Sequence, residues 1–390
     1  MSAPTGRPLR VFVDAAILKP GLMGIGTYVA GVVYGLSHLP GIELIVATSR
    51  PEDLPAAPRL EVVELPRGVQ DFGRRALWRE RSLAGLLART RADVLLAPVP
   101  ELPLRRLRVP AVMVVHDVTQ VLAPALSGRL RWLRATVGLP RACSVAARVV
   151  CVSHATLGML HSTVGVDPDR CVVIPEGPQA LTAPETARVA GDAEPFFLYA
   201  GTLLPHKNVR TLVRAFAVTG GAVPARLVLV GPASEEEAAG LDRLRDELGL
   251  GERVVHLGLV SPQRLAELYA GALALVSPSL HEGFGLPLLE ALSAGTPALV
   301  SELPAFRELA GDAARYVAEP LDPNRWRVEL VTLCRDAELR RTLSSRGVER
   351  ARGFTWEDVG ERFARVLCAV AGRSGVVLDG SLPSLADPRP

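Results

Sequence analysis

The sequence predicts an α/β protein made of two doubly wound domains, each built on a parallel sheet. Three observations carry that expectation. Short apolar runs alternate with segments of helical period along most of the chain. Several of those runs are continuous rather than alternating, as in parallel strands buried on both faces. Near the middle, residues 176–195 are rich in Pro, Ala and Gly with no apolar period, which reads as a linker. The length of 390 residues accommodates two domains of ordinary size.

In order, 9–15 reads as the first strand, ending in Asp14, and a loop with Gly21, Gly24 and Gly26 follows. The spacing of Tyr28, Val32 and Leu36 predicts a helix over 27–38. Strands are expected at 42–47, 60–65, 94–98 and 111–115, and a helix at 77–89. A helix at 129–146 and strands at 148–152 and 171–174 complete a first domain, taken as 1–180. The linker is placed at 181–195. The second domain, 196–355, opens with a strand at 196–200 and a helix at 208–219, for which Asn208 is the expected N-cap. A strand at 226–230, a helix at 234–248 with a Glu-rich first turn, and strands at 254–257, 274–277 and 298–301 follow. The last helix is expected at 356–372, and the Pro-rich end, 373–390, as a flexible tail. Two such domains on a short linker are expected to face each other across a cleft, with ligands at the carboxyl ends of the strands.

Composition narrows the function. Basic and acidic residues number 44 and 41, a net charge of +3, which lacks the basic excess of a nucleic-acid binder. The five cysteines are scattered without a CxxC spacing, so neither a disulfide framework nor a metal site is expected. No apolar leader and no run of about 20 apolar residues is seen, and the expected location is the cytoplasm. The basic stretch 129–148, with Trp132 among its arginines, reads first as an ordinary exposed helix. Contact with anionic lipid at the inner membrane face is its second reading.

The most informative segment runs from Ser279 to Pro297. Glu282 and Glu290 flank a Gly-x-Gly turn, and Pro287 fits the first turn of a helix, where its missing N–H costs nothing. Gly283 and Gly285 leave the backbone bare, so amides of a helix N-terminus are offered to phosphate. Acids beside an anion site hold hydroxyls better than they hold the anion. Phosphate together with diols points to a sugar nucleotide. Three further segments fall at strand ends. Gly24 and Gly26 open a helix without the full spacing of a dinucleotide fingerprint, for which Gly31 is out of place, so a simple turn competes with a surface facing phosphate or acceptor. His116 and Asp117 end a buried strand, where a His can bond a substrate hydroxyl and the acid can orient an acceptor; the rival is a structural pair closing a loop. Gly201, Thr202, His206 and Lys207 precede a helix, and a cation there is explained by an anion in front of it. Asp167-Pro168-Asp169 reads as a turn rather than a metal site.

These four segments, in this order, resemble retaining glycosyltransferases of the GT-B fold, family 4, over about residues 9–370. Glu282-Gly-Phe-Gly-Leu-Pro-Leu-Leu-Glu290 looks like that family's E-x7-E signature, and Gly201-Thr-Leu-x-Pro-x-Lys-Asn like its phosphate loop. The resemblance implies that Lys207 neutralises the donor diphosphate and Glu290 binds the ribose. Glu282 and the amides of Gly283, Phe284, Gly285 and Leu286 would hold the transferred sugar and the phosphate. His116 would contact the sugar, Gly24 and Gly26 would lie near the diphosphate and acceptor, and Leu259 and Val260 would lie at the base. It further implies an acceptor-binding first domain, a last helix crossing back to it, front-side attack with the donor phosphate taking the acceptor proton, and no cofactor or metal. The phosphate-loop spelling resembles bacterial mannosyltransferases, so GDP-mannose is the expected donor, against UDP-glucose and its like. The expected acceptor is a hydroxyl of a glycan, a lipid-linked sugar or a small molecule. Thr202 and His206 stand where relatives often carry Arg, which weakens the cationic loop. A sugar-nucleotide binder without turnover, and a sugar-nucleotide epimerase, are the competing readings.

Overall fold

The computed structural model describes residues 7–19, 21, 24–122, 129–179 and 194–373. Nearly all of the expected linker, up to 193, and the tail beyond Arg373 lie outside the described residues. The chain divides into two compact units: Met1–Gly177 with Phe354–Pro390, and Pro178–Gly353.

Among the described residues the first unit holds seven strands: β1 (Leu9–Asp14), β2 (Ile42–Thr48), β3 (Leu60–Glu64), β4 (Val94–Ala97), β5 (Ala111–Val115), β6 (Arg148–Cys151) and β7 (Cys171–Val173). They are ordered β3-β2-β1-β4-β5-β6-β7, and every pairing is parallel. β4 and β5 are buried along their whole length, which explains their continuous apolar runs, whereas edge strand β3 is mostly exposed. Its helices are α1 (Ile25–Ser37), α2 (Phe72–Trp78), α3 (Ala84–Arg89), α4 (Thr119–Leu122), α5 (Arg129–Val145) and α6 (His154–Val164). The helix expected to start at 77 starts at Phe72 and passes into α3 through a π turn, Arg79–Leu83. Its onset was hidden because Arg75, an inward-facing charge, breaks the apolar period. α6 was not foreseen; Ser153 caps it by accepting from Thr156 N, and Gly165 ends it in the left-handed conformation.

The second unit holds β8 (Phe196–Ala200), β9 (Arg226–Val230), β10 (Val254–His256), β11 (Ala274–Ser277), β12 (Ala298–Ser301) and β13 (Arg315–Val317), ordered β10-β9-β8-β11-β12-β13 and again parallel. Its helices are α7 (Val209–Val218), α8 (Glu235–Glu247), α9 (Pro262–Gly271), α10 (Leu286–Ser293), α11 (Pro304–Ala310), α12 (Pro323–Arg335) and α13 (Ala337–Ala351). Phe197, Phe216, Leu227, Val276, Leu299 and Trp326 meet in its core. The Glu-rich start of α8 is a capping box of Ser234 and Glu237. β13, α9, α11, α12 and α13 were not anticipated from the sequence.

The final helix, α14 (Trp356–Val370), belongs to the first unit and packs on α1. A Cβ on Gly31 would fall inside the Trp356 indole, and one on Gly35 would collide with the Trp356 carbonyl. Gly31, misplaced for a phosphate loop, is there to let α14 approach. Among the described residues no helix is long and apolar enough to cross a membrane.

Both sheets run 3-2-1-4 outward from their first strand. The connections leave β1 and β8 in opposite senses, so a crevice opens at the carboxyl ends between β1 and β4, and between β8 and β11.

Candidate active site

In the second unit the crevice is built by the loops after β8 and β11. β8 ends at Ala200, and Gly201 turns the chain at φ 151° with its N–H on the Val230 carbonyl, 2.9 Å. Tyr199 Oη donates to Thr202 O at 2.5 Å. Pro205–Lys207 forms one 3-10 turn, and Asn208 follows in the left-handed conformation, φ 55°. Asn208 stands at the N-cap position of α7, but its side chain does not cap the helix. Its amide donates to Pro278 O at 3.1 Å and to Pro320 O at 2.9 Å, and its Oδ1 accepts from Thr211 Oγ1 at 2.7 Å. With Leu280 N donating to His206 O at 2.8 Å, these bonds tie the β8 loop to the β11 loop.

The tie brings two predicted residues together. Lys207 Nζ donates to Glu282 Oε1 at 2.7 Å, and Ser279 Oγ donates to the same oxygen at 2.7 Å. The Lys207 and Glu282 side chains are 22% and 14% exposed, so the pair is sheltered but open to solvent. Thr202 Oγ1, in the place where the resemblance puts an Arg in many relatives, is buried with no hydrogen-bond partner among the described residues.

Gly283, Phe284, Gly285 and Leu286 lead into α10, all buried, and Pro287 lies in its first turn. Gly285 has φ 110°, and a Cβ there would stand 2.7 Å from the Phe306 ring. The glycine thus serves backbone conformation and packing against Phe306. Glu290 is buried on α10, and Tyr269 Oη donates to its Oε2 at 2.8 Å. Burial, reinforced by the Glu290 carboxylate, pushes the Tyr269 phenol well above its ordinary range, so it stays a donor. Tyr269 was missed in the sequence; its signal was a Tyr on the buried face of α9, which needs a partner for its hydroxyl. Leu259 and Val260 lie in the loop after β10, with Leu259 exposed.

The first unit holds the remaining candidates. Gly24 precedes α1 at φ 60°, and a Cβ there would meet nothing within 4 Å, so the dihedral rather than crowding calls for glycine. Gly26 lies in the first turn of α1. His116 follows β5 with both ring nitrogens engaged: Nδ1 lies 3.0 Å from Glu176 Oε1 and Nε2 lies 2.8 Å from Pro98 O. A direct bond to a sugar would require exchanging one of them. Asp117 is exposed, and its Oδ1 accepts from Thr119 N at 2.9 Å, a local turn opening α4. Glu176, 4% exposed, was overlooked because it opens the Pro- and Gly-rich stretch read as linker.

The β1–β4 crevice of this unit carries charges that the sequence did not single out. Asp14, at the end of β1, accepts from Arg79 Nε at 2.5 Å. Arg79 also pairs with Glu101, which Arg75 clamps through Nε at 2.8 Å and Nη2 at 2.9 Å. Asp14 and Arg79 are almost fully buried, and Arg79 Nη2 has no partner among the described residues. Burial opposes the Glu101 charge, but the bonds and charges of Arg75 and Arg79 outweigh it and hold its carboxyl below the usual range.

With this geometry in view, two family models match the chain in succession, the second beginning inside the expected linker. "Glycosyltransferase Family 4" matches residues 23–178 and "Glycosyl transferases group 1" residues 186–350. The chain belongs to the family 4, group 1 glycosyltransferases. Among curated members, it is 35% identical over 168 residues to an O-antigen chain mannosyltransferase B of Escherichia coli, covering 42% of this chain and 43% of that protein. It is 29% identical over 272 residues to a D-inositol 3-phosphate glycosyltransferase of Nocardia farcinica, covering 66% of this chain and 60% of the relative. The matches thus span less than two thirds of either relative's length. Among solved structures, a sucrose-phosphate synthase from Thermosynechococcus elongatus superposes with a TM-score of 0.78 at 20% identity, covering 93% of this chain and 99% of that one. The Anabaena HepE protein in complex with UDP and glucose superposes with a TM-score of 0.71 at 19% identity, covering 93% of this chain and 100% of that one. This family 4 chain therefore has the GT-B fold expected from its motifs.

Proposed function

We propose that this protein is a retaining glycosyltransferase that moves a hexose, mannose from GDP-mannose, onto a hydroxyl of a glycan, lipid-linked or small-molecule acceptor. The observation that carries the reading is the Lys207–Glu282 pair in the β8–β11 crevice, beside the N-terminus of α10. A half-sheltered cation there is free to trade Glu282 for a diphosphate. Glu282, released to accept from sugar hydroxyls, and Glu290, held by Tyr269 to accept from a ribose, divide the two acids between sugar and nucleotide. Both acids are engaged as acceptors, which favours transfer in which the donor phosphate serves as base. The acceptor hydroxyl oxygen then bonds the anomeric carbon on the face that the diphosphate leaves. Its proton passes to a departing phosphate oxygen, and the nucleoside diphosphate is released.

Mannose is supported by the likeness to the O-antigen mannosyltransferase. A uridine donor is the rival, supported by the fold shared with a protein seen with UDP and glucose. We place the reaction in the cytoplasm; contact of α5 with anionic lipid at the inner membrane face is the second reading, supported by the exposed Val137 and Val145 on that helix. Calorimetry with GDP- and UDP-linked hexoses tests the donor. GDP-mannose is expected to bind tightest; preference for a UDP-hexose would overturn the mannose reading, and binding of none would overturn the transferase. Flotation with anionic vesicles checks the membrane contact, which fails if the protein stays at the bottom of the gradient.

A further inference from the structure

We propose that Glu176 is a positioning residue that fixes the His116 ring with a proton on each nitrogen, so that His116 serves transfer as a stationary cation and never as a base. The functional half of this inference rests on the glycosyltransferase reading above.

The hydrogen-bond partners carry the argument. Pro98 O, 2.8 Å from Nε2, can only accept, so Nε2 holds a proton. Nδ1 faces Glu176 Oε1 at 3.0 Å, and Glu176 is buried to 4% exposure. A lone carboxylate there is costly, and an imidazolium beside it offsets part of that cost. The Tyr28 ring stands edge-on against the imidazole, centroids 4.5 Å apart at 88°, and shuts out water on that side. The groups facing His116 are thus Glu176, the Tyr28 ring and the neighbouring Asp117 carboxylate, and both acids favour the cation. Burial works against the charge, but the Glu176 hydrogen bond and charge, the Pro98 carbonyl and Asp117 outweigh it, and the His116 pKa rises above its ordinary 6.5.

The place of Glu176 in the chain adds a second reason. Gly177 follows it, and the second unit begins at Pro178. A Cβ on Gly177 would lie 2.8 Å from the Trp356 indole, and Trp356 opens α14 just after the chain re-enters the first unit at Phe354. Tyr28 touches both rings, His116 at 4.5 Å and Trp356 at 5.9 Å. The exit and return of the chain therefore pack around one cluster, and the close approach of Gly177 to Trp356 fixes the chain next to Glu176.

Nitrogen NMR of the imidazoles tests this, with His116 among the seven histidines assigned from the His116→Gln spectrum. In the wild type His116 is expected to titrate above 6.5, and Glu176→Gln to lower its midpoint by about one unit or more. In the same variant the alkaline limb of the kcat profile should move down by a similar amount while the donor KM holds. A purely structural Glu176 would instead lower activity evenly at all pH. A wild-type His116 titrating at or below 6.5, or a midpoint indifferent to Glu176→Gln, would overturn the proposal. If the variant does not fold, the wild-type titration decides alone. Absence of transfer with every donor would sink the glycosyltransferase reading while leaving the NMR result to stand or fall separately. The linkage has a definite sign. A His with a raised folded value contributes stability in full below about 6.5, and that contribution is lost as pH rises through the raised value.

Discussion

The β1–β4 crevice and the β8–β11 crevice arise from the same strand order, yet they hold charge in opposite ways. In the first unit Asp14, Arg79, Glu101 and Arg75 interlock, and the two innermost, Asp14 and Arg79, are withdrawn from water. In the second, Lys207 and Glu282 meet through one contact and both keep some exposure. The first crevice pairs its charges internally and leaves one buried nitrogen, Arg79 Nη2, without a partner among the described residues; the second holds a cation with a single, partly exposed partner. The difference begins with local backbone. A π turn sets Arg79 deep against β1, with Arg75 four residues earlier on the same side. In the second unit the left-handed Asn208 spends its side chain on stitching two loops, which leaves Lys207 at their shared rim. Identical topology therefore sets where a site can lie, and the side chains decide whether it is sealed or open.

The contrast is broken most directly at Arg79. Arg79→Ala leaves Asp14 buried without its partner and is expected to lower stability by about 3–5 kcal/mol. Urea unfolding reads this, and a change within error would show that the first crevice is not held by its ion pairs. At Lys207 the pattern should reverse. Lys207→Ala is expected to cut transfer by about 100- to 1000-fold, with stability changed by less than about 1 kcal/mol because a part-exposed pair contributes little. Full turnover in that variant would remove Lys207 from the donor site. The smallest of the three effects is expected at the acid behind the open crevice. Tyr269→Phe withdraws one donor from Glu290 and should raise the donor KM by about tenfold, the scale of a hydrogen bond to a charged group. An unchanged KM would mean that Glu290 does not depend on Tyr269.

Much of the candidate site was legible because it lies where strands end. Lys207, Glu282 and Glu290 stand out by their Gly and Pro neighbours, and those mark loop-to-helix junctions whatever the tertiary context. Their partners were less visible. Tyr269 sits inside an ordinary amphipathic helix, and Glu176 inside a stretch whose composition looks like linker. Ser279 carries no sequence signal beyond opening the motif, although its hydroxyl shares Glu282 Oε1 with Lys207. Arg75 was hidden for the opposite reason: a buried charge on a helix breaks the apolar period, so the segment that carries it loses its helical signature. Gly31 is out of place for a phosphate loop and its role is invisible locally, since the ring that needs its missing side chain lies 325 positions later, at Trp356.

The sequence by itself determined the two doubly wound domains, all of their strands but β13, the family resemblance and the loops that bear polar groups. These follow from period, turn residues and local spacing, which act over a few residues. Only the tertiary structure decided who pairs with whom: Lys207 with Glu282, Tyr269 with Glu290, His116 with Glu176, Arg79 with Asp14. Those pairs join residues from 21 to 75 positions apart, and their energies depend on burial and distance, which exist only once the sheets have formed.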